Sequence, residues 1–311
     1  MGKAVCLLGL LSAACALAIA CGSTSEVGDA GKEKDASGER DSKTADAETI
    51  PDASLDHAHP MPDAPLDAGR DSGEGGAAQS IAVPMYVDPS MTSEWEQVYD
   101  AAPIVKLLVA NPDSGPGAKS QVPAYTAAIA SAIKAGETIV GYVDTGFTKL
   151  SLAEVEGNVD TWYSWYPAIE GIFFDEVTSD PADGMGYYKT LYEYVHMHTG
   201  AVVVLNPGTI PDSSYMDASD ILVMFEGPYA SYADGGYPDA NPSWVASYDP
   251  FRFWHLVYGA ATIGDMQNAV TLARSRSAGY VFVTDEDASG AYQEIVGGGY
   301  WTAELTAVSS P

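Results

Sequence analysis

Gly171-Ile172-Phe173-Phe174-Asp175-Glu176 reads as a buried strand that stops at two adjacent carboxylates. The apolar run reaches Phe174, and acid appears where a strand leaves the core. A second run, Ile221-Leu222-Val223-Met224-Phe225, ends the same way in Glu226. Burying carboxylates is costly unless they are paired or used. Two strands ending in acid predict a carboxylate-based site at the C-terminal rim of a parallel barrel.

Working outward from these two runs, six more appear. In order the eight are Ile81–Val87, Ile104–Ala110, Thr138–Val143, Ile169–Phe174, Ala201–Leu205, Ile221–Phe225, Phe253–Tyr258 and Tyr280–Val283. Near-continuous Val, Ile, Leu, Phe and Tyr is the pattern of strands buried on both faces, which belong to parallel sheets. Helical patterns fill several intervals. Tyr125–Ala135 precedes Gly136, a natural C-cap. Leu152–Tyr163 follows the N-cap Ser151, with Glu154 at the third helical position. Gly186–Thr199 and Ile263–Ser277 also read as helices. The link Asn206–Asp220 is short and broken by Pro and Gly, so its helix is expected to be minimal or missing. Alternating strands and helices imply right-handed βαβ units, and eight in succession predict a closed (β/α)8 TIM barrel.

That barrel occupies residues 81–311. Before it, residues 22–80 are rich in Gly, Ala, Ser, Asp and Pro with few aromatic or β-branched residues, which predicts a disordered acidic tether. At the start, Lys3 precedes an apolar run from Ala4 to Ala20, a secretory signal too short for a confident membrane span. Leu17-Ala18-Ile19-Ala20-Cys21 resembles a bacterial lipoprotein signal, with cleavage before Cys21 and lipid on its sulfur; such signals usually carry Leu where Ala18 stands. The chain is therefore expected to be exported, as a cell-envelope lipoprotein or a secreted protein. All three cysteines, Cys6, Cys15 and Cys21, lie in this leader, which excludes disulfides and thiolate metal sites from the folded part.

The chain has 43 Asp and Glu against 14 Lys and Arg, a formal net charge of −29, and most of the excess follows residue 80. Nucleic acid and anionic membrane surfaces are poor partners for such a domain. A partly deacetylated, polycationic polysaccharide would be drawn to it; solubility explains the acidity equally well.

Taken in order, several short motifs resemble the spherulin-4-like proteins. They are Val83-Pro84-Met85-Tyr86-Val87-Asp88-Pro89, Asn111-Pro112-Asp113-Ser114-Gly115-Pro116-Gly117, Gly141-Tyr142-Val143-Asp144-Thr145 and Trp165-Tyr166-Pro167. After the 171–176 run come Leu205-Asn206-Pro207-Gly208-Thr209, Phe225-Glu226, Val283-Thr284-Asp285 and Tyr300-Trp301. The resemblance implies a (β/α)8 glycoside hydrolase of family 135, cleaving α-1,4-linked galactosamine-containing polysaccharide typified by galactosaminogalactan. Its acidic triplet falls on Asp175, Glu176 and Glu226.

Glycoside hydrolysis needs two carboxyl groups across the scissile bond. Asp175 is read as nucleophile or charge stabiliser and Glu226 as general acid/base, with Glu176 assisting by hydrogen bonding or like-charge repulsion, or serving as a salt-bridge partner or a helix N-terminal acid. Residues just past each strand offer a polar rim: Asp88, Asn111, Asp144, Asp175 with Glu176, Asn206, Glu226, Tyr258, and Asp285 with Glu286. A rim around one cleft is preferred to the alternative that each merely begins a turn. Tyr86, Tyr142, Trp165, Tyr166, Tyr229 and Trp254 are candidate sugar platforms, and Asn111, Asn206 and Asp285 candidate hydrogen-bonding partners. Asn111 serves equally as a turn residue. His255 lies within the seventh strand and is a candidate if it points inward, though a satisfied core histidine is the favoured reading.

No cofactor or metal is expected. His196 and His198 are two apart and do not share a helix face; His57 and His59 fall in the tether. Neither a phosphate-binding Gly loop nor a serine nucleophile elbow is present. A monomer acting on a polysaccharide is expected. Two alternatives remain: a non-catalytic carbohydrate-binding barrel, and a metal-dependent polysaccharide deacetylase, which would need convergent His and Asp ligands.

Overall fold

The computed structural model describes residues 79–310 apart from Ala118 and Asp239. The leader with Cys21, and the tether up to residue 78, lie outside the described residues. Eight strands form one closed, all-parallel barrel in sequence order. They are β1 (Ser80–Met85), β2 (Val105–Ala110), β3 (Thr138–Asp144), β4 (Gly171–Asp175), β5 (Val202–Leu205), β6 (Ile221–Pro228), β7 (Phe253–Tyr258) and β8 (Tyr280–Val283). The (β/α)8 expectation is borne out, with β1 beginning one residue inside the stretch read as tether. Among the described residues no helix is long and apolar enough to cross a membrane.

The connecting helices are α1 (Thr92–Tyr99), α2 (Pro123–Ala135), α3 (Leu152–Trp165), α4 (Pro181–Val195), α5 (Tyr229–Ala233), α6 (Ile263–Ser275) and α7 (Gly298–Ser309). Local chemistry sets their ends. The Ser151 hydroxyl accepts the Glu154 N–H while Glu154 accepts the Ser151 N–H, a complete capping box. Gly136 ends α2 in the left-handed conformation (φ 93°). Only a 3-10 turn, Ser213–Asp217, stands between β5 and β6, as the broken link implied. Gly141 of β3 has Trp162 of α3 pressed on it; a Cβ there would lie 2.4 Å from the indole.

Two irregularities shape the site. In β6 the pairing with β7 slips by one residue: Val223 pairs with Trp254, but Phe225 pairs with His255 and Glu226 with Leu256. The inner face of β7 is marked by Trp254, whose ring meets Phe173 of β4 edge-on. Strict alternation from Val223 would turn Glu226 outward. The extra residue, Met224, returns Glu226 to the inner face, the re-aiming for which bulges are suited.

The second irregularity is the seam between β1 and β8, which pair only at Ser80–Tyr280 and Ile81–Val281. Above that the strands part. The Val283 N–H is taken by Oε1 of Glu304, a buried residue of α7, at 2.9 Å. The Tyr86 N–H goes to the carbonyl of Tyr292, 3.2 Å away in the loop after β8.

Candidate active site

The inner face of the barrel carries an aromatic floor below the C-terminal strand ends. Tyr142 of β3 stacks on Phe173 of β4 (6.0 Å between centroids, 26°), and Phe173 meets Trp254 (5.8 Å, 71°). Asp175 lies two residues beyond Phe173, on the same face. Its Oδ2 accepts the Tyr142 hydroxyl at 2.7 Å. Its Oδ1 accepts the Asn206 side-chain amide at 2.8 Å, and the same nitrogen donates to Glu226 Oε2 at 2.7 Å. Glu226 Oε1 accepts the Tyr292 hydroxyl at 2.9 Å. One amide thus spans two carboxyl groups from strands β4 and β6, and each outer oxygen is held by a tyrosine.

The backbone around Asn206 explains this arrangement. Asn206-Pro207-Gly208 makes a turn in which the Asn206 Oδ1 accepts the Gly208 N–H (3.0 Å). Gly208 is left-handed (φ 64°) and its carbonyl accepts the Glu226 N–H at 3.0 Å. The turn fixes the amide with both its hydrogens aimed at the acids. Thr145, fully buried, anchors the other side. Its hydroxyl is 2.9 Å from the carbonyls of both Asp175 and Glu176, and its N–H donates to Asp175 O at 3.1 Å.

Burial raises the Asp175 carboxyl, and the Glu226 charge raises it further, up to about 7; hydrogen bonds from Tyr142, the Glu176 backbone and Asn206 act in the opposite sense. Tyr86 meets Tyr142 and Tyr292 edge-on, at 5.7 and 5.6 Å. Burial and then the charges of Asp175 and Glu226 push its hydroxyl well up, which places it in the field of both acids. Tyr258, half-buried at the end of β7, is raised by burial and by the Glu226 charge.

The residues read from the sequence divide clearly. Asp175, Glu226, Asn206, Tyr142 and Tyr86 converge. Asn206 was read as a sugar partner, but both its N–H groups are committed to the acids. Glu176 is half-buried and its backbone is left-handed (φ 51°), so the chain turns immediately after Asp175. Asn111 makes a turn, its Oδ1 accepting the Gly115 N–H. Asp88 and Asp144 do the same for Ser90 and Gly146. At these three strand ends the turn-making alternative holds. Asp285 is half-buried, and after burial and the Glu304 charge its own charge helps raise the Tyr300 hydroxyl of α7.

Three site roles are corrected, that of His255 in favour of the core reading already preferred. His255 faces away from the barrel interior: it pairs with Phe225 on the outer side, and its Nδ1 lies 2.6 Å from the Tyr232 hydroxyl of α5. Burial, and then the Arg276 charge, lower it to about 3, so it is a neutral core histidine. Trp165 and Tyr166 end α3 against the loop after β2, where the Gln121 side chain donates to the Trp165 carbonyl. Tyr166 is buried there, its hydroxyl accepting the Val122 N–H at 2.9 Å. Tyr229 opens α5 and its hydroxyl accepts from Asn268 of α6. Sequence reasoning missed Tyr292 and the role of Thr145. Thr145 stood inside a quoted motif; Tyr292 sits in a loop with no periodic signal. Among the described residues no cluster of three or more His, Cys, Asp or Glu is arranged to hold a metal ion.

The profile of Spherulation-specific family 4 matches residues 80–308. Spherulin-4 of Physarum polycephalum is 31% identical over 217 residues, 66% of this chain; the match spans 63% of that protein's length. The crystal structure of Aspergillus clavatus Sph3 in complex with GalNAc aligns with a TM-score of 0.64 at 26% identity, covering 76% of this chain and 99% of that one. The ordered motifs, the barrel and these matches agree, and the chain belongs to spherulation-specific family 4.

Proposed function

We propose that this barrel is a glycoside hydrolase that cleaves a galactosamine-containing polysaccharide with the Asp175–Glu226 pair. The observation that carries this reading is the amide of Asn206 held between the two carboxyl groups. Facing oxygens of the pair stand within the span of two hydrogen bonds. That spacing is below the roughly 6.5–9.5 Å that leaves room for an attacking water beneath the sugar, and it suits direct attack by one carboxylate on the anomeric carbon, with retention of configuration. The GalNAc complex of Sph3 supports the choice of sugar.

Burial and the Glu226 charge raise the Asp175 carboxyl, so the pair keeps a proton toward neutral pH, and this reading assigns it to Asp175. Asp175 then protonates the glycosidic oxygen as the bond to the leaving sugar breaks. Glu226 attacks and forms a glycosyl ester, which water hydrolyses as Asp175 takes back a proton. These roles reverse those read from the sequence. Azide rescue separates the two assignments: Asp175→Gly should yield a glycosyl azide of the substrate's anomeric configuration, and Glu226→Gly the opposite one.

The deciding experiment incubates the protein with galactosaminogalactan and a panel of other polysaccharides, wild type beside Asp175→Asn. Oligosaccharide released by the wild type alone supports the reading; no release from any glycan sinks it. Export and lipidation at Cys21 belong to the same proposal and rest on the leader sequence. Fatty-acid labelling that survives Cys21→Ser would refute the anchor.

A further inference from the structure

A strained aromatic residue stands beside the acid cluster without taking part in it. Phe147 follows β3 in Asp144-Thr145-Gly146-Phe147-Thr148-Lys149. Its backbone is left-handed (φ 53°, ψ 48°), between Gly146 (φ 55°) and Thr148 (φ 68°) in the same region. A residue with a bulky side chain rarely adopts this conformation, and glycine would occupy it without strain. Burial does not compensate, since 44% of Phe147 is exposed. An exposed apolar residue alone needs no explanation; one held in a strained backbone does.

The segment is also firmly placed. The Phe147 N–H donates to the Glu176 carbonyl at 2.7 Å, and Thr145, two residues earlier, is tied to the carbonyls of Asp175 and Glu176. The backbone that carries the ring is therefore fixed one residue from Asp175. Lys149 sets its ammonium 5.7 Å from the ring centroid.

We propose that Phe147, with Lys149 beside it, forms an outer subsite that stacks an uncharged pyranose, an N-acetylated hexosamine or a plain hexose, beyond the point of cleavage. The C–H face of a sugar covers an aromatic ring and removes it from water, which gives the exposed Phe147 its use. A protonated amino sugar at the same place meets the like charge of Lys149. The subsite thus selects acetylated over deacetylated units, against the pull of the acidic domain as a whole. This inference rests on the polysaccharide reading above but not on turnover.

Binding in the Asp175→Asn background tests it. Calorimetry with N-acetylgalactosamine oligosaccharides, their deacetylated counterparts and the monosaccharide is run with and without Phe147→Gly, Phe147→Trp and Lys149→Glu. Phe147→Gly should weaken oligosaccharide binding about tenfold and leave the monosaccharide unchanged. It should also raise the melting temperature by about 2–4 °C, because the strain is released. Phe147→Trp should keep oligosaccharide affinity. Lys149→Glu should tighten deacetylated oligosaccharide about threefold. Unchanged oligosaccharide affinity in Phe147→Gly, or a lowered melting temperature, overturns the proposal and makes Phe147 a packing residue. Oligosaccharide binding without hydrolysis by the wild type would sink the hydrolase and leave the subsite standing; no binding by any variant would remove both.

Discussion

Carboxylates sit at both ends of the barrel, and Asp220 at one end contrasts with the pair Asp175 and Glu226 at the other. At the N-terminal end Asp220 has donors of its own: His196 Nε2 at 2.9 Å, the Val203 N–H at 2.8 Å and the Tyr192 hydroxyl at 3.3 Å. Glu170 accepts the Ile139 N–H. Such acids stitch strands and helices together. At the C-terminal end Asp175 and Glu226 compete for one amide, with one tyrosine each. Asp175 also takes a bond from the Glu176 backbone, yet burial and the Glu226 charge still raise it, and two acids sharing a donor are poised to trade a proton. Asp220 keeps its donors to itself, whereas Asp175 and Glu226 share theirs.

The strongest way to break this contrast is to neutralise one acid at each end. Asp175→Asn and Glu226→Gln should each lower kcat by about 10³-fold or more while far-UV circular dichroism stays unchanged. Asp220→Asn should leave kcat near wild type and cost on the order of 1–3 kcal/mol in denaturant unfolding. If Asp220→Asn abolished activity in folded protein, the division between the ends would be wrong.

A smaller effect should follow from removing the shared donor. Asn206→Ala takes away a hydrogen bond that lowers the Asp175 pKa, so the alkaline limb of the pH–rate profile, near 7 in the wild type, should move upward. Its kcat should fall about 10²-fold, and that of Tyr292→Phe about tenfold. A profile unmoved by Asn206→Ala would mean that the amide does not couple the pair.

The smallest effect concerns stability. Burial raises Asp175 to about 7, and Glu304 and Glu137 to about 8. An acid whose folded pKa lies above its unfolded value stabilises the fold at low pH, and that contribution is lost as pH rises through the folded pKa. The melting temperature should therefore fall between about pH 5 and 9. Asp175→Asn should flatten the part of the fall below pH 7. A melting temperature that rises across this range would contradict the burial of all three.

The barrel was legible because eight apolar runs in order leave few architectures, and the acids because each interrupts such a run. Facing was harder to read. Period-two alternation assigns inside and outside only when the register is known, and the extra residue at Met224 resets it. The same ignorance left His255 open, since its side depends on how β7 pairs with β6. Tyr292 was illegible because it sits in the loop after β8 without a periodic signal, and only the folded chain brings its hydroxyl to Glu226. Asn206 was seen, but its partners were not: sequence shows an amide near the mouth and not that both its hydrogens are already committed.

The residue after Asn206 carries a consequence for how the protein ages. Spontaneous conversion of asparagine to aspartate begins when the next backbone nitrogen loses its hydrogen and attacks the side-chain amide. That nitrogen belongs to Pro207, which has no hydrogen to lose. A third carboxyl group there would add a negative charge between Asp175 and Glu226, and Pro207 closes the commonest chemical route to it.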